Sequence, residues 1–189
     1  MKSFFTKEDE ILKWDTTETK KILDTAVFEV TKDHNISKTG VEGDYVVVNA
    51  KDWVITIPVY NDKFVLVKQW RHGEKKLSVE FPGGVMDPGE NPETTAKREL
   101  EEETGFKANK LTKLGTVNPN PALFSNHVHF FLAEELIPTG VQHLDHDEAI
   151  NCIELSEDEL FECVGSEEFP HALMLSALAL YLKQKRTAR

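Results

Sequence analysis

Gly84-Val85-Met86-Asp87-Pro88-Gly89-Glu90-Asn91-Pro92-Glu93-Thr94-Thr95-Ala96-Lys97-Arg98-Glu99-Leu100-Glu101-Glu102-Glu103-Thr104-Gly105-Phe106 carries the densest pattern in the chain. Asn91 followed by Pro92 has the form of a helix N-cap with proline at the first helical position, and Gly105 supplies a C-terminal stop. This predicts a helix over Pro92 to Thr104. Within it Glu99, Glu102 and Glu103 fall three and four residues apart, on one face, with Glu101 turned aside. Like charges so close repel and would weaken an isolated helix. One outcome is a solvated acidic face. The other is a set of hard oxygen ligands gathered around Mg²⁺ or a similar ion. Arg98 precedes the cluster and Glu90 lies in the loop before the helix. A pair between these two would pin loop to helix and orient the ligands.

Working outward, Phe81-Pro82-Gly83-Gly84 is a tight, flexible loop. Before it, Val54 to Val59 and Phe64 to Lys68 look like a hairpin around Asn61-Asp62-Lys63, and Ala26 to Val30 and Tyr45 to Val48 read as earlier strands. After it, His127 to Ala133 and Ala149 to Leu155 read as strands, separated by an irregular acidic loop over Glu134 to Glu148. A last helix is expected from near Ser166 or Phe169 to near Lys185, burying Leu173, Leu175, Ala177, Leu178 and Leu180. Strands alternating with helices give an α/β or α+β domain. Residues 1–50 are poor in core material and are expected to form a separate small β-sheet that pairs with a second chain, leaving residues 51–189 as the main domain.

Composition narrows the function. Among the 189 residues, 33 acidic against 22 basic give a net charge of −11. That argues against non-specific nucleic-acid binding, which needs a basic surface. An anionic substrate would need bound cations to screen the repulsion. The two cysteines, Cys152 and Cys163, form neither a disulfide framework nor a metal-ligand pair. His127, His129, His143 and His146 show no zinc spacing. The N-terminus lacks a signal-peptide core, and the longest apolar run, Ala172 to Leu182, is too short to span a bilayer and is interrupted by Ser176. A cytoplasmic protein is expected, with no membrane partner.

The full spacing is Gly84, five residues, Glu90, seven residues, Arg98-Glu99-Leu100, one residue, Glu102-Glu103, one residue, Gly105-Phe106. It resembles the Nudix box at every defined position. The resemblance implies the family's α/β/α sandwich with a mixed sheet, here with a small N-terminal antiparallel element. It also implies a loop-helix-loop that binds divalent metal, Mg²⁺ or Mn²⁺, against a diphosphate. By position, Glu99 and Glu103 would be the main ligands, with Glu102 and the Gly83 carbonyl as further ones. Glu90 and Arg98 would be the structural pair. Metal binding would neutralise phosphate charge and lower the pKa of a bound water. Glu102 and Glu103 would share in catalysis, and a carboxylate would accept the water's proton. In related enzymes that base comes from an acidic loop after the box. Here Leu144-Asp145-His146-Asp147-Glu148 is placed to supply it, with Glu148 favoured because it adjoins the next strand, and Asp147 and Asp145 as alternatives.

Outside the box, from about Trp14 to Phe161, the chain is similar to the branch of ADP-ribose pyrophosphatases and nucleoside diphosphate sugar hydrolases. Pro121 lies sixteen residues beyond Gly105, an offset found in ADP-ribose hydrolases of the family, although its Asn118-Pro119-Asn120-Pro121-Ala122 setting departs from their usual pattern. Gln69-Trp70-Arg71-His72-Gly73 resembles the segment whose arginine contacts phosphate, a role suited to a guanidinium. Glu80 resembles a substrate-side glutamate, either accepting from sugar hydroxyls or pairing with Arg71. Trp14 is a candidate for stacking on adenine, in an N-terminal segment that helps form a homodimer in this branch. Trp53 and Trp70 are expected in the core. The competing functions are hydrolysis of oxidised nucleoside triphosphates, a non-catalytic nucleotide-sugar-binding regulator, and an isomerase. The extra N-terminal strands, the complete carboxylate set and the placement of the two cysteines argue against these in turn.

Overall fold

The computed structural model describes residues 3–187. They form two compact units: one runs to Lys51 and takes in Asn118–Asn126, and the other comprises Asp52–Val117 and His127 onward. Among the described residues, no helix is long and apolar enough to cross a membrane.

In the first unit a short 3₁₀ turn, Lys7–Leu12, precedes three antiparallel strands in the order β1 (Trp14–Asp24), β2 (Phe28–Ser37), β3 (Glu42–Ala50). No residue of β1 is buried. Its polar run Asp15-Thr16-Thr17-Glu18-Thr19-Lys20-Lys21 offers no apolar alternation, so nothing in the sequence marked it as a strand. The Asn118–Asn126 segment is tied to β3 by the Val48 amide donating to the Leu123 carbonyl at 2.8 Å and the Ser125 amide donating to the Val48 carbonyl at 3.1 Å. Large apolar side chains stay exposed across this unit, among them Phe4, Phe5, Ile22, Val27 and Val46.

The second unit is built on a mixed sheet. Its path runs β6 (Lys76–Glu80), β5 (Lys63–Arg71), β4 (Trp53–Tyr60), β8 (Val128–Pro138), β7 (Phe106–Val117), with β9 (Asn151–Leu155) pairing with β5. The β4–β8 pair is parallel and the others are antiparallel. Near-continuous apolar strands are the signature of a sheet covered on both faces. Here alternate residues serve opposite layers. Ile55, Ile57, Phe64, Leu66, Phe130 and Leu132 pack with Leu160 of helix α2 (Glu157–Cys163) and with Leu173, Met174, Ala177 and Leu178 of helix α3 (Ala172–Thr187). Their neighbours Val54, Val65, Phe131 and Ala133 pack with Ala96 and Leu100 of helix α1 (Pro92–Thr104). The result is the expected α/β/α arrangement.

Several expectations give way. The acidic loop begins later, because β8 continues to Pro138. The last helix starts at Ala172, beyond Pro170, since the residue before a proline is pushed out of the helical region. Leu175 is 41% exposed and Leu180 is only half-buried, because the sheet covers one stripe of α3. Trp70 is also exposed, opposite Leu77 of β6, whereas Trp53 packs partly against the core.

Candidate active site

A cavity of about 340 Å³ opens beside α1, with Arg71, Glu80, Glu99, Glu103, Glu148 and His171 in its wall. Its floor is α1, and local sequence fixes both ends of that helix. The Asn91 side chain accepts from the Thr94 amide at 3.0 Å, Pro92 starts the helix, and Gly105 closes it at φ 68° with its amide donating to the Glu101 carbonyl. The β6–α1 loop crosses α1 at very close range. A Cβ on Gly83 would stand 2.2 Å from the Val54 carbonyl oxygen, and one on Gly84 would stand 2.4 Å from Glu99 Oε1. The backbone of β4 therefore demands glycine at 83, while at 84 glycine leaves room for the Glu99 carboxylate as it lies. The carbonyls of Pro82 and Gly84, on either side of Gly83, accept from the Thr56 and Val54 amides of β4.

Arg98 organises one side. Its Nε and Nη2 donate to Glu90 at 3.1 and 3.0 Å, and its Nη1 donates to Glu99 at 2.8 Å and Glu102 at 3.0 Å. Glu90 also accepts from the Thr95 hydroxyl at 2.7 Å. The Arg98 and Thr95 bonds hold the Glu90 carboxyl down at about 2, and the same pair raises the Arg98 guanidinium.

Glu103 is almost wholly buried and accepts from the Gly83 amide at 2.8 Å. That one bond does not offset its burial, and the neighbouring Glu99 and Glu148 charges add to the penalty, so its carboxyl is pushed up to about 8. Burial likewise raises Glu99 to about 7, despite Arg98. Glu80 makes the contrast. It is fully buried too, but Arg71 gives it two hydrogen bonds of 2.7 Å. Burial is the largest influence on Glu80 and pushes upward, yet the Arg71 bonds and charge outweigh it and hold the carboxyl below its ordinary value. The Glu80 pair is thus self-neutralised, while Glu99 and Glu103 are carboxylates short of positive charge.

Buried hard oxygen donors short of a cation suit a divalent metal. The residues present therefore fit Mg²⁺ or Mn²⁺. As they lie, among the described residues no three such side chains converge on one ion position: Glu99 and Glu102 turn to Arg98, and Glu103 turns to Gly83.

In the acidic loop, Glu148 and Asp145 face the cavity and are tied to each other, the Asp145 amide donating to Glu148 Oε2 at 3.1 Å. The Asp147 side chain points out, 77% exposed beside His146. Trp14 and Pro121 belong to the first unit, where Trp14 packs edge-on against Tyr45 with ring centroids 5.6 Å apart and Pro121 sits on an exposed turn. The cavity wall also holds Gln69, Asp87 and His171, which the sequence did not single out. Gln69 had a signal, since it shares a strand face with Arg71 two residues on. His171 had none.

The NUDIX domain description matches residues 51–172. Over 124 residues the chain is 40% identical to the ADP-ribose pyrophosphatase of Bacillus subtilis, an alignment covering 65% of this chain and 66% of that protein. It is 31% identical to the methanol dehydrogenase activator of Bacillus methanolicus, over 79% of this chain and 82% of that one. Among solved structures, an ADP compounds hydrolase superposes with a TM-score of 0.83 at 25% identity, over 93% of this chain and 96% of that one. The chain belongs to the Nudix family. It is a pyrophosphohydrolase of the branch that holds the ADP-ribose pyrophosphatases and ADP compounds hydrolases.

Proposed function

We propose that the chain hydrolyses the diphosphate of ADP-ribose or a related nucleoside diphosphate sugar, with Mg²⁺ or Mn²⁺, to a nucleoside monophosphate and a sugar phosphate. The observation that carries this is the pair of buried, cation-poor carboxylates, Glu99 and Glu103, set against a glycine loop and facing an arginine across one cavity.

Glu99, Glu103, Glu102 and the Gly83 carbonyl would hold the metal, which supplies charge neutralisation at phosphate and an acidified water. Glu90 and Arg98 lock the loop to α1 and so hold those groups in place. Arg71 has Nε and Nη2 committed to Glu80, which aims the guanidinium and leaves Nη1 for a phosphate oxygen. Glu148, at the cavity edge, accepts the proton of the attacking water. The first unit acts as the dimerisation element, its exposed apolar side chains meeting a second copy, with Trp14 reaching toward the adenine held by that copy.

The test is a panel of ADP-ribose, GDP-mannose, UDP-glucose and deoxynucleoside triphosphates incubated with Mg²⁺, with the products identified. AMP and ribose phosphate from ADP-ribose support the proposal. Pyrophosphate from a triphosphate, or saturable binding without turnover, would replace it.

A further inference from the structure

His171 is held by the start of α3 and faces the cavity. It occupies the N-cap position. Its carbonyl accepts from the Met174 amide at 3.0 Å, and its Nδ1 accepts from the Leu173 amide at 3.2 Å. A backbone N–H can only donate, so Nδ1 carries the lone pair and the neutral ring's proton sits on Nε2. Burial, with the nearby Arg71 charge, keeps the imidazole below its usual range against the pull of Glu80, and the positive end of the helix acts in the same sense.

Among the described residues that Nε2–H has no acceptor in reach. Glu80 Oε2 lies 4.0 Å away, beyond a hydrogen bond, and both Glu80 oxygens already accept from Arg71. Among the described residues Nε2 makes no hydrogen bond. The ring is mostly buried, its side chain 25% exposed. A donor fixed in direction, partly desolvated and open to a substrate cavity is set up for a ligand oxygen. A neutral donor also leaves the Arg71–Glu80 pair intact, whereas a cation there would compete for Glu80.

We infer that His171 is a substrate-binding residue: a neutral Nε2–H donor, fixed in one tautomer by the helix cap, that contacts an oxygen of the bound diphosphate substrate beside Arg71. This rests on the function proposed above.

His171→Asn separates the two roles of the ring, because asparagine still caps a helix but removes the distal donor. In the full chain with Mg²⁺, this variant should keep the wild-type Tm. Its KM for ADP-ribose should rise about tenfold or more, as for loss of a hydrogen bond to a charged group, with kcat moving less. In wild-type protein, ¹⁵N spectra of the His171 ring should report the Nε2–H tautomer, and the ring signals should shift when ADP-ribose or inorganic pyrophosphate is added. An unchanged KM at unchanged Tm, an Nδ1–H tautomer, or ring signals that stay still at saturating ligand would each overturn the assignment. Should wild type cleave none of the nucleotide sugars, the proposed function fails by itself, and the pyrophosphate titration of the ring still decides the role of His171.

Discussion

Arg71 and Glu80 are joined by two parallel hydrogen bonds of 2.7 Å, one partner reaching the cavity and the other wholly buried behind it. Removing the arginine alone would strand a buried carboxylate. Arg71→Met should therefore cost about 1–3 kcal/mol, less than the roughly 3–5 kcal/mol of a fully buried pair, because the Arg71 side chain is 39% exposed. The double variant Arg71→Met/Glu80→Met removes the unpaired charge and should recover much of the lost stability. It should not recover the KM for a diphosphate substrate, since the phosphate donor is still missing. Thermal unfolding and steady-state kinetics on both variants check this. A double variant as unstable as the single one would refute the pairing argument.

Gly83 and Gly84 are adjacent but should fail differently. Alanine at 83 drives its Cβ into the Val54 carbonyl of β4, and backbone cannot yield cheaply, so Gly83→Ala should fold poorly or melt well below wild type. Alanine at 84 meets only the Glu99 carboxylate, which can swing aside. Gly84→Ala should keep a Tm near wild type while losing turnover by about a hundredfold, as when one central electrostatic element is misplaced. The two melting curves read beside the two rates decide it, and the reverse pattern would sink the argument.

The second unit and the helix of its site were legible because their signals are local. Helix α1 begins and ends where Asn91-Pro92 and Gly105 place it, since a cap, a proline and a left-handed glycine act within a turn. Strands buried on both faces, β4, β5 and β8, were visible as apolar runs. The polar strands β1, β6 and β7 were not, although the more apolar Tyr45–Val48 of the exposed β3 was. β7 intersperses Lys107, Lys110 and Lys113 among its apolar residues, as an edge strand does to discourage pairing, and β1 buries nothing at all. Within the site, Arg71 and Glu80 stood out as charges flanking the box. Their pairing was one of two alternatives for Glu80, and the strand register decides it: with Arg71 opposite Lys76 and Glu80 opposite Val67 in the β5–β6 hairpin, both side chains share one sheet face. His171 comes to the cavity from a helix start far along the chain, and only the packing of α3 on the sheet brings it there.

The acidic loop offers three carboxylates, and its folding ranks them. Glu148 and Asp145 face the cavity, while Asp147 points to solvent. Glu148→Gln should lower kcat by about 10²–10⁴, the usual worth of a general base. Asp145→Asn should have a smaller effect, through the turn it helps close, and Asp147→Asn should match wild type. Rates for the three variants at saturating substrate and Mg²⁺ test the order. A large loss in Asp147→Asn with none in Glu148→Gln would move the base to the other side chain.

Stability should depend on pH and metal in a linked way. Glu99 and Glu103 titrate at about 7 and about 8, above the ordinary value of 4.5. Groups raised on folding contribute stability that is fully present below the unfolded value and is lost as pH rises through the folded ones. Metal-free protein should thus melt progressively lower as pH climbs from about 4.5 to about 8 and level off above that, each kcal/mol moving Tm by about 2–4 °C in a domain of this size. A divalent cation replaces those protons as the counter-charge, so added Mg²⁺ should raise Tm most at the alkaline end and flatten the slope. Glu99→Gln/Glu103→Gln should lose most of this slope without metal and should not respond to it. Melting curves in EDTA and in Mg²⁺ across that range provide the measurement. If the double variant keeps the wild-type slope and the wild-type response to Mg²⁺, the two carboxylates are not where the cation binds.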